Sequence, residues 1–273
     1  MAIILPEIDP AIIHIGKISP TWYGAMYAVG FLSGYFLALK RAVKYPHLSW
    51  NKDNTSDLLF YLMLGVIIGG RLGYILFYRV IPFGLNSVIS DPLSIFRVWE
   101  GGMSFHGGLL GVFIACLTFA FKYNKKVLDI GDFIAPFIPL GLFFGRIGNF
   151  INGELYGRET NLPWAMIFPQ DKYHLPRHPS QLYEAFWEGV VLFIVLNIYI
   201  YRKKAKYKRG MLVGMFLAIY GLGRFFIEFV RLKDAQMNYY FGMTMGQVLC
   251  LPMLLIGGYL IYSARRKEIA KLF

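Results

Sequence analysis

Charged residues are scarce in this 273-residue chain. Asp, Glu, Lys and Arg make up only 16% of it, whereas about 25% is usual in soluble domains. Hydrophobic residues account for 56%, aromatic residues for 18%, and the mean hydropathy is +0.48. This composition argues against a soluble globular domain and against a disordered chain. It is typical of a membrane protein.

Cysteine is also rare, because the chain has only Cys116 and Cys250. Both lie in apolar stretches, and two isolated cysteines are too few for a disulfide scaffold or a paired metal site. The sequence therefore predicts two buried free thiols that pack as small hydrophobic side chains. The first residues lack a basic region and include Glu7 and Asp9, so they do not resemble a cleavable signal peptide.

Seven apolar segments have the length of about 20 residues that a spanning helix needs. They are residues 21–39, 58–78, 104–121, 130–148, 183–201, 211–230 and 244–263. We therefore expect an all-α polytopic membrane protein, with residues 1–273 forming a single integral membrane domain. The connection 149–182, between spans four and five, is expected to form a small external cap.

The basic residues predict the orientation of these helices. Outside the spans, 17 Lys and Arg residues fall on one side, and eight fall on the other over longer segments. The positive-inside rule then places the N-terminus outside and the C-terminus in the cytoplasm. The net charge of +12 comes from short clusters between apolar runs, which does not indicate a nucleic-acid-binding face.

Several charged residues lie within or at the ends of the predicted spans. They are Arg71, Arg146, Arg224, Glu184, Glu188 and Glu228, with His106 at the start of the third span. A charged side chain at a helix centre costs roughly 2.5–3.5 kcal/mol on insertion scales, so such residues are functional candidates by default. An Arg–Glu pair that merely joins two helices remains the alternative.

The spacing of these residues gathers them near one end of the bundle. Tyr220, Arg224, Glu228 and Arg231 fall within about 80° on an α-helix. Arg is suited to bidentate phosphate binding, and His to moving a proton near neutral pH. The residues alone indicate a polytopic protein that handles an anionic lipid near its outer face.

Residues 145–157 read GRIGNFINGELYG, which resembles the signature of bacterial prolipoprotein diacylglyceryl transferases. Further blocks that are similar to this family follow one another in family order over nearly the whole chain. They are WYGAMY (22–27), GGRLGYILFY (69–78), FRVWEGGMSFHGGLLG (96–111), RHPSQLYEAFWEG (177–189) and YGLGRFFIEFVR (220–231).

The resemblance implies a multi-pass enzyme of the bacterial inner (cytoplasmic) membrane, with an active site that faces the periplasm or cell exterior. Such an enzyme moves the diacylglyceryl group of phosphatidylglycerol to the lipobox cysteine in the signal peptide of a prolipoprotein. A thioether forms and glycerol 1-phosphate is released. The resemblance implies no metal and no diffusible cofactor.

The resemblance also implies which residues form the site: Tyr23, His106, Arg146, Asn149, Glu154, Gly157, Tyr220, Arg224, Glu228 and Arg231. We assign Arg146 and Arg224 to the phosphate, and His106 to the proton or to orienting the headgroup. Tyr23 and Glu154 are alternative bases. We expect Asn149, Asn152 and Glu154 to hold the glycerol hydroxyls.

Two other functions remain to be weighed, a phospholipid transporter or scramblase and a structural scaffold. A transporter usually places its polar residues near the membrane midplane, on interrupted helices that are related by an inverted repeat. This chain gathers them towards one end and shows no such repeat. A scaffold would not need two arginines and an imidazole together.

Overall fold

The computed structural model describes residues 2–14, 19–97, 101–232 and 242–269, which are mainly helical. The helices are α1 (Trp22–Lys44), α2 (Lys52–Ile75), α3 (Ile81–Phe83), α4 (Asn86–Ile89), α5 (Phe105–Lys122), α6 (Val127–Ile134), α7 (Ile138–Ile151), α8 (Ser180–Glu184), α9 (Leu192–Arg202), α10 (Met211–Ile227) and α11 (Met245–Ile269). Two π-helical turns, Leu76–Val80 and Ala185–Val191, join α2 to α3 and α8 to α9. Short 3-10 helices lie at Pro46–Leu48 and Pro92–Ile95.

The described residues include five helical stretches that are long and apolar enough to cross a membrane. They are Trp22–Lys44, Lys52–Phe83, Phe105–Lys122, Ser180–Arg202 and Met245–Arg266. The pair α6 and α7 is a sixth candidate, and α10 is an apolar helix of 17 residues, near the lower limit for a span. The chain is therefore a polytopic helical membrane protein. The count of seven spans and their orientation stay predictions.

The predicted fourth span, 130–148, is not one straight helix. Helices α6 and α7 meet at an angle of 52° across a break at residues 135–137. Pro136 lies in this break; a proline cannot donate a backbone hydrogen bond and disfavours helical geometry in the residue before it. The bend therefore has a local cause in the sequence.

The predicted sixth span, 211–230, is also shorter than expected. Helix α10 ends at Ile227, and Glu228 is its C-terminal cap. Arg231 then forms an antiparallel β-bridge with Gly157. The stripe of polar residues predicted from helical spacing thus continues beyond the helix, through a turn at residues 228–230 to the bridged Arg231.

Residues 152–179 connect α7 to α8 and carry most of a small sheet. Strand β1 (Ile3–Ile4) is parallel to β2 (Met166–Ile167), with Ile3 opposite Met166. Strand β2 is antiparallel to β3 (Pro176–Arg177), with Met166 opposite Arg177. This segment is the predicted cap, and its external location stays a prediction.

A buried carboxylate closes the turn before β3. Asp171 is 2% exposed and accepts hydrogen bonds from Arg177 Nε at 2.6 Å and Nη2 at 2.9 Å. It also accepts one from the Leu175 backbone at 3.1 Å. The hydrogen bonds from Arg177 lower the pKa of Asp171 to about 2. The carboxylate is therefore ionised at neutral pH and holds this turn.

Contacts within the chain form two compact units, residues 1–38 with 131–273, and residues 39–130. In the second unit α2 and α5 cross closely, since a Cβ on Gly69 would lie 2.8 Å from the Gly111 Cα. Buried Leu192 and Leu196 of α9 and Leu212 of α10 belong to the core of the first unit. The organisation as a single domain stays a prediction.

Candidate active site

One buried carboxylate joins the two arginines that the sequence singled out. Arg146 lies on α7, Arg224 on α10, and Glu184 is the last residue of α8. Glu184 Oε2 is 3.1 Å from Arg146 Nε, and its Oε1 accepts a hydrogen bond from Arg224 Nη1. The Glu184 side chain is 0% exposed. Three helices of the first unit therefore converge on one carboxylate.

Two further glutamates pair with the same arginines. Glu188 Oε2 accepts a hydrogen bond from Arg146 Nη2 at 3.4 Å, and Glu228 Oε2 is 3.1 Å from Arg224 Nη2. Arg231 Nε lies 4.0 Å from Glu184 Oε1. We call these six residues the Arg–Glu cluster: Arg146, Arg224, Arg231, Glu184, Glu188 and Glu228. Its formal charges cancel, which reduces the cost of burying so many ions.

Glu184 of α8 and Glu188 of the following π-helical turn owe their common direction to local helix geometry. Residues at i and i+4 lie on the same face of a helix, so Glu184 and Glu188 both face α7. Glu188 falls in the π-helical turn Ala185–Val191, a type of distortion that is frequent at functional sites. Trp187 Nε1 in the same turn donates to the Ile219 carbonyl of α10 at 2.9 Å.

The polar end of α7 holds a second carboxylate. Asn149 Nδ2 donates to Glu154 Oε1 at 3.0 Å, and Asn152 Nδ2 donates to the same oxygen at 3.3 Å. Asn149 is buried, whereas Glu154 is exposed. These three residues, which the sequence assigned to glycerol hydroxyls, thus form one hydrogen-bonded group at the end of α7.

The loop that carries Glu154 is held in an unusual backbone conformation. Gly153 and Leu155 have φ values of 66° and 61°, and a left-handed conformation is uncommon for a residue such as leucine. The start of α8 fixes this loop, because Gln181 Nε2 donates to the Glu154 carbonyl at 2.7 Å and Ser180 Oγ to the Leu155 carbonyl at 3.0 Å. Such strain often marks a functional site.

A cavity of about 300 Å³ opens beside this loop. Its lining residues are Gly153, Glu154, Leu155, Tyr156, Gln170, Arg231 and Leu232. The volume is at the lower end of the range for small-molecule sites, and it suits a compact polar group. A cation and a carboxylate thus face one small space next to the Arg–Glu cluster.

Two glycines allow close approach where the site is assembled. A Cβ on Gly148 would lie 3.1 Å from the Tyr23 Cα, so the glycine lets α1 pack tightly against α7. The Tyr23 hydroxyl donates to the Tyr27 hydroxyl at 3.1 Å. A Cβ on Gly157 would lie 2.7 Å from the His178 Cβ, which leaves no room for a larger residue beside the β-bridge to Arg231.

The remaining predicted site residues, Tyr220 and His106, lie in different units of the chain. Tyr220 precedes Arg224 by one turn on α10 and stacks on Phe216 at 5.8 Å between ring centroids. His106 belongs to the unit of residues 39–130, as the second residue of α5, where its exposed ring packs edge-on against Phe105. Its role in the site stays a prediction.

Sequence reasoning gave Glu184 and Glu188 no role in binding or catalysis, although it noted them as charges within a span. Gln181, which fixes the loop, was also missed. A signal was present, because residues 181, 184 and 188 recur at spacings of three and four within one helical block.

Both cysteines are buried and free, as the sequence predicted. In residues 2–14, 19–97, 101–232 and 242–269, no three His, Cys, Asp or Glu side chains are grouped as a metal site requires.

Comparison with known proteins identifies sequences that are similar to this chain. The sequence profile of the family described as "Prolipoprotein diacylglyceryl transferase" matches residues 10–263. A relative from Aeromonas hydrophila is 50% identical over 265 residues, covering 97% of this chain and 93% of the relative. Another from Marinomonas sp. is 51% identical over 260 residues, or 94% and 93%. A third, from Nitratidesulfovibrio vulgaris, is 50% identical over 258 residues, or 94% of each. All three bear the name phosphatidylglycerol–prolipoprotein diacylglyceryl transferase.

Proposed function

This chain belongs to the prolipoprotein diacylglyceryl transferase family, and we propose that it transfers the diacylglyceryl group of phosphatidylglycerol to a prolipoprotein cysteine. The products are a thioether-linked prolipoprotein and glycerol 1-phosphate, and the reaction is the first step of lipoprotein maturation. The observation that carries the proposal is the convergence of Arg146 of α7 and Arg224 of α10 on Glu184. Paired guanidiniums in a membrane protein suit a phosphodiester headgroup.

The chemistry requires the attacking sulfur to be a thiolate. An unperturbed cysteine has a pKa near 8.5, so a base or a positive field must favour loss of the thiol proton. The thiolate attacks the glycerol carbon of the diacylglyceryl group, a C–S bond forms, and the bond from that carbon to the phosphate oxygen breaks. The bonding electrons leave with the phosphate, and cationic donors that face it stabilise this developing charge.

The residues of the site divide between these tasks. Arg146 and Arg224 bind the phosphate, and Asn149, Asn152 and Glu154 bind the glycerol hydroxyls of the headgroup. His106 takes the thiol proton or orients the headgroup, with Tyr23 and Glu154 as the other candidate bases. The remaining substrate-binding residues are Gly157, Tyr220, Glu228 and Arg231.

The setting of the reaction follows from the same proposal. The acceptor is the lipobox cysteine in the signal peptide of a prolipoprotein, and the enzyme lies in the bacterial inner membrane with its site towards the periplasm or exterior. The excess of Lys and Arg in the segments expected to be cytoplasmic supports this orientation.

Acceptor-dependent consumption of lipid tests the function directly. Purified protein is incubated with phosphatidylglycerol that is labelled in its headgroup glycerol and with a synthetic lipobox peptide. We expect labelled glycerol 1-phosphate to appear only with the cysteine peptide, and not with a matched Cys→Ser peptide. A phospholipid transporter or scramblase would leave the lipid intact in both samples, and that result would overturn the proposal.

A further inference from the structure

Glu184 occupies a position in the Arg–Glu cluster that no other carboxylate of the described residues shares. Its two oxygens contact arginines of two different helices, Oε2 the Nε of Arg146 at 3.1 Å and Oε1 the Nη1 of Arg224. Glu188 contacts Arg146, and Glu228 contacts Arg224 from four residues further along the same chain segment. Glu184 is therefore the link between α7 and α10 within the cluster.

We propose that Glu184 is a positioning residue that sets the separation and orientation of the Arg146 and Arg224 guanidiniums, so that both bind one phosphate of the donor lipid. The proposal rests on the function proposed above, and it adds the requirement that the two arginines act as a pair.

The geometry of the guanidinium group gives the first argument. This group is planar and rigid, so fixing one edge by a carboxylate fixes the direction of the remaining N–H groups. Glu184 contacts the Nε of Arg146 and the Nη1 of Arg224. With Glu188 and Glu228 on the Nη2 atoms, each arginine is held at two points and retains further N–H donors for a phosphate.

Charge gives the second argument. The Arg146 and Arg224 side chains are only 17% and 13% exposed, so solvent screens their guanidiniums poorly and the repulsion between them would drive them apart. The anionic Glu184 carboxylate, whose side chain is 0% exposed, contacts both and removes the need for solvent to screen them. A carboxylate in this position therefore keeps the arginines close before any substrate arrives.

The hydrogen bonds that hold the helical segment around Glu184 give the third argument. Ser180 and Gln181, on the preceding turn of α8, bind the carbonyls of Leu155 and Glu154. Trp187 follows Glu184 by three residues and binds a carbonyl of α10. The carboxylate is thus held from both sides along its own helix. The same helical segment therefore holds the conformation of the loop beside the cavity and contacts both arginines.

A conservative substitution tests positioning while it keeps the charge. E184D retains the carboxylate but withdraws it by roughly one C–C bond, about 1.5 Å. E188D makes the same change in a carboxylate of equal burial that contacts one arginine. Both full-length variants and the wild type are purified in the same detergent. Melting temperature, kcat and KM for phosphatidylglycerol are measured with the lipobox-peptide assay.

We expect E184D to melt within a few degrees of the wild type and to lose roughly 10- to 100-fold in activity, mainly in kcat, because misplacement by about 1 Å can cost 100-fold. The loss in E188D should be at least several-fold smaller. In an R224K background, where the pair is already disturbed, E184D should cost less than it does in the wild type.

Three results would overturn the inference while the proposed function stands. They are wild-type activity in E184D, equal losses in E184D and E188D, and failure of E184D alone to accumulate as folded protein, which would make Glu184 purely structural. A fully multiplicative effect of E184D and R224K would also contradict it. If the wild type itself releases no glycerol 1-phosphate with the cysteine peptide, the proposed function fails and the inference fails with it.

Discussion

Replacing Arg146 by glutamine should separate the proposed phosphate-binding role of this arginine from its role in the fold. Arg146 pairs with Glu184 and is the ion-pair partner of Glu188 in the described residues. In Arg146→Gln, Glu184 keeps Arg224, but the fully buried Glu188 loses its cation. The Arg–Glu cluster then carries one excess negative charge.

The expected loss of folding stability follows from this unpaired charge on Glu188. Breaking a buried ion pair by removing one partner costs about 3–5 kcal/mol, because the other charge remains buried without compensation. Arg224→Gln should cost less, since Glu184 keeps Arg146 at 3.1 Å and Glu228 still accepts a hydrogen bond from Thr244 at 3.1 Å. Loss of a hydrogen bond to a charged group is worth about 1.5–3 kcal/mol. Arg146→Gln should therefore be the less stable variant.

A second substitution removes the stranded charge. In Arg146→Gln/Glu188→Gln the cluster is neutral again, so we expect thermal stability to return towards that of the wild type. Transfer activity should not return, because the phosphate still lacks one guanidinium. We expect a loss of activity of about 10²–10³-fold, the size of the loss when one oxyanion-hole donor is removed from an enzyme. Melting in detergent and glycerol 1-phosphate release report the two effects separately.

Two outcomes would refute this reasoning. If Arg146→Gln is as stable as Arg224→Gln, Glu188 does not depend on Arg146 to balance its charge. If the double variant is stable and fully active on phosphatidylglycerol, Arg146 does not bind the phosphate. Arg146→Lys is a useful third variant, since it keeps the charge but loses the planar fork and should be impaired less than Arg146→Gln.

Three further predictions concern topology, the cysteines and the cap. Single cysteines placed at 203–209 should resist an impermeant thiol reagent in intact cells and those at 160–179 should react; the reverse pattern would refute the orientation. Replacing Cys116 and Cys250 together by serine should leave transfer largely intact, because the attacking thiol belongs to the prolipoprotein; loss of activity in a correctly inserted variant would point to a covalent enzyme intermediate. The lowered pKa of Asp171 stabilises the folded protein at pH values above the unfolded value near 4, and this contribution is lost as pH falls towards 2. Asp171→Asn should thus lower the melting temperature at pH 7, with the difference from wild type shrinking below about pH 4; a difference independent of pH would contradict this.

Much of the fold was predictable because a membrane imposes a strong constraint on sequence. Spanning helices need long apolar runs, and structured helices lie at every predicted span, with bounds that differ by a few residues. The bend between α6 and α7 was not foreseen, although Pro136 is its local cause. The early end of α10 was missed because the pairing of Gly157 with Arg231 joins residues that are far apart in sequence.

The sequence by itself determined which residue types the candidate site contains and, through the family blocks, the family to which the chain belongs. Arg146, Arg224 and Glu228 stand out because charge is costly in apolar helices, and this cost can be read one residue at a time. Only the tertiary structure decided which charges pair. Glu184 bridges two arginines because α7, α8 and α10 meet at one end, and such packing between helices depends on contacts that helical spacing within a single segment does not encode.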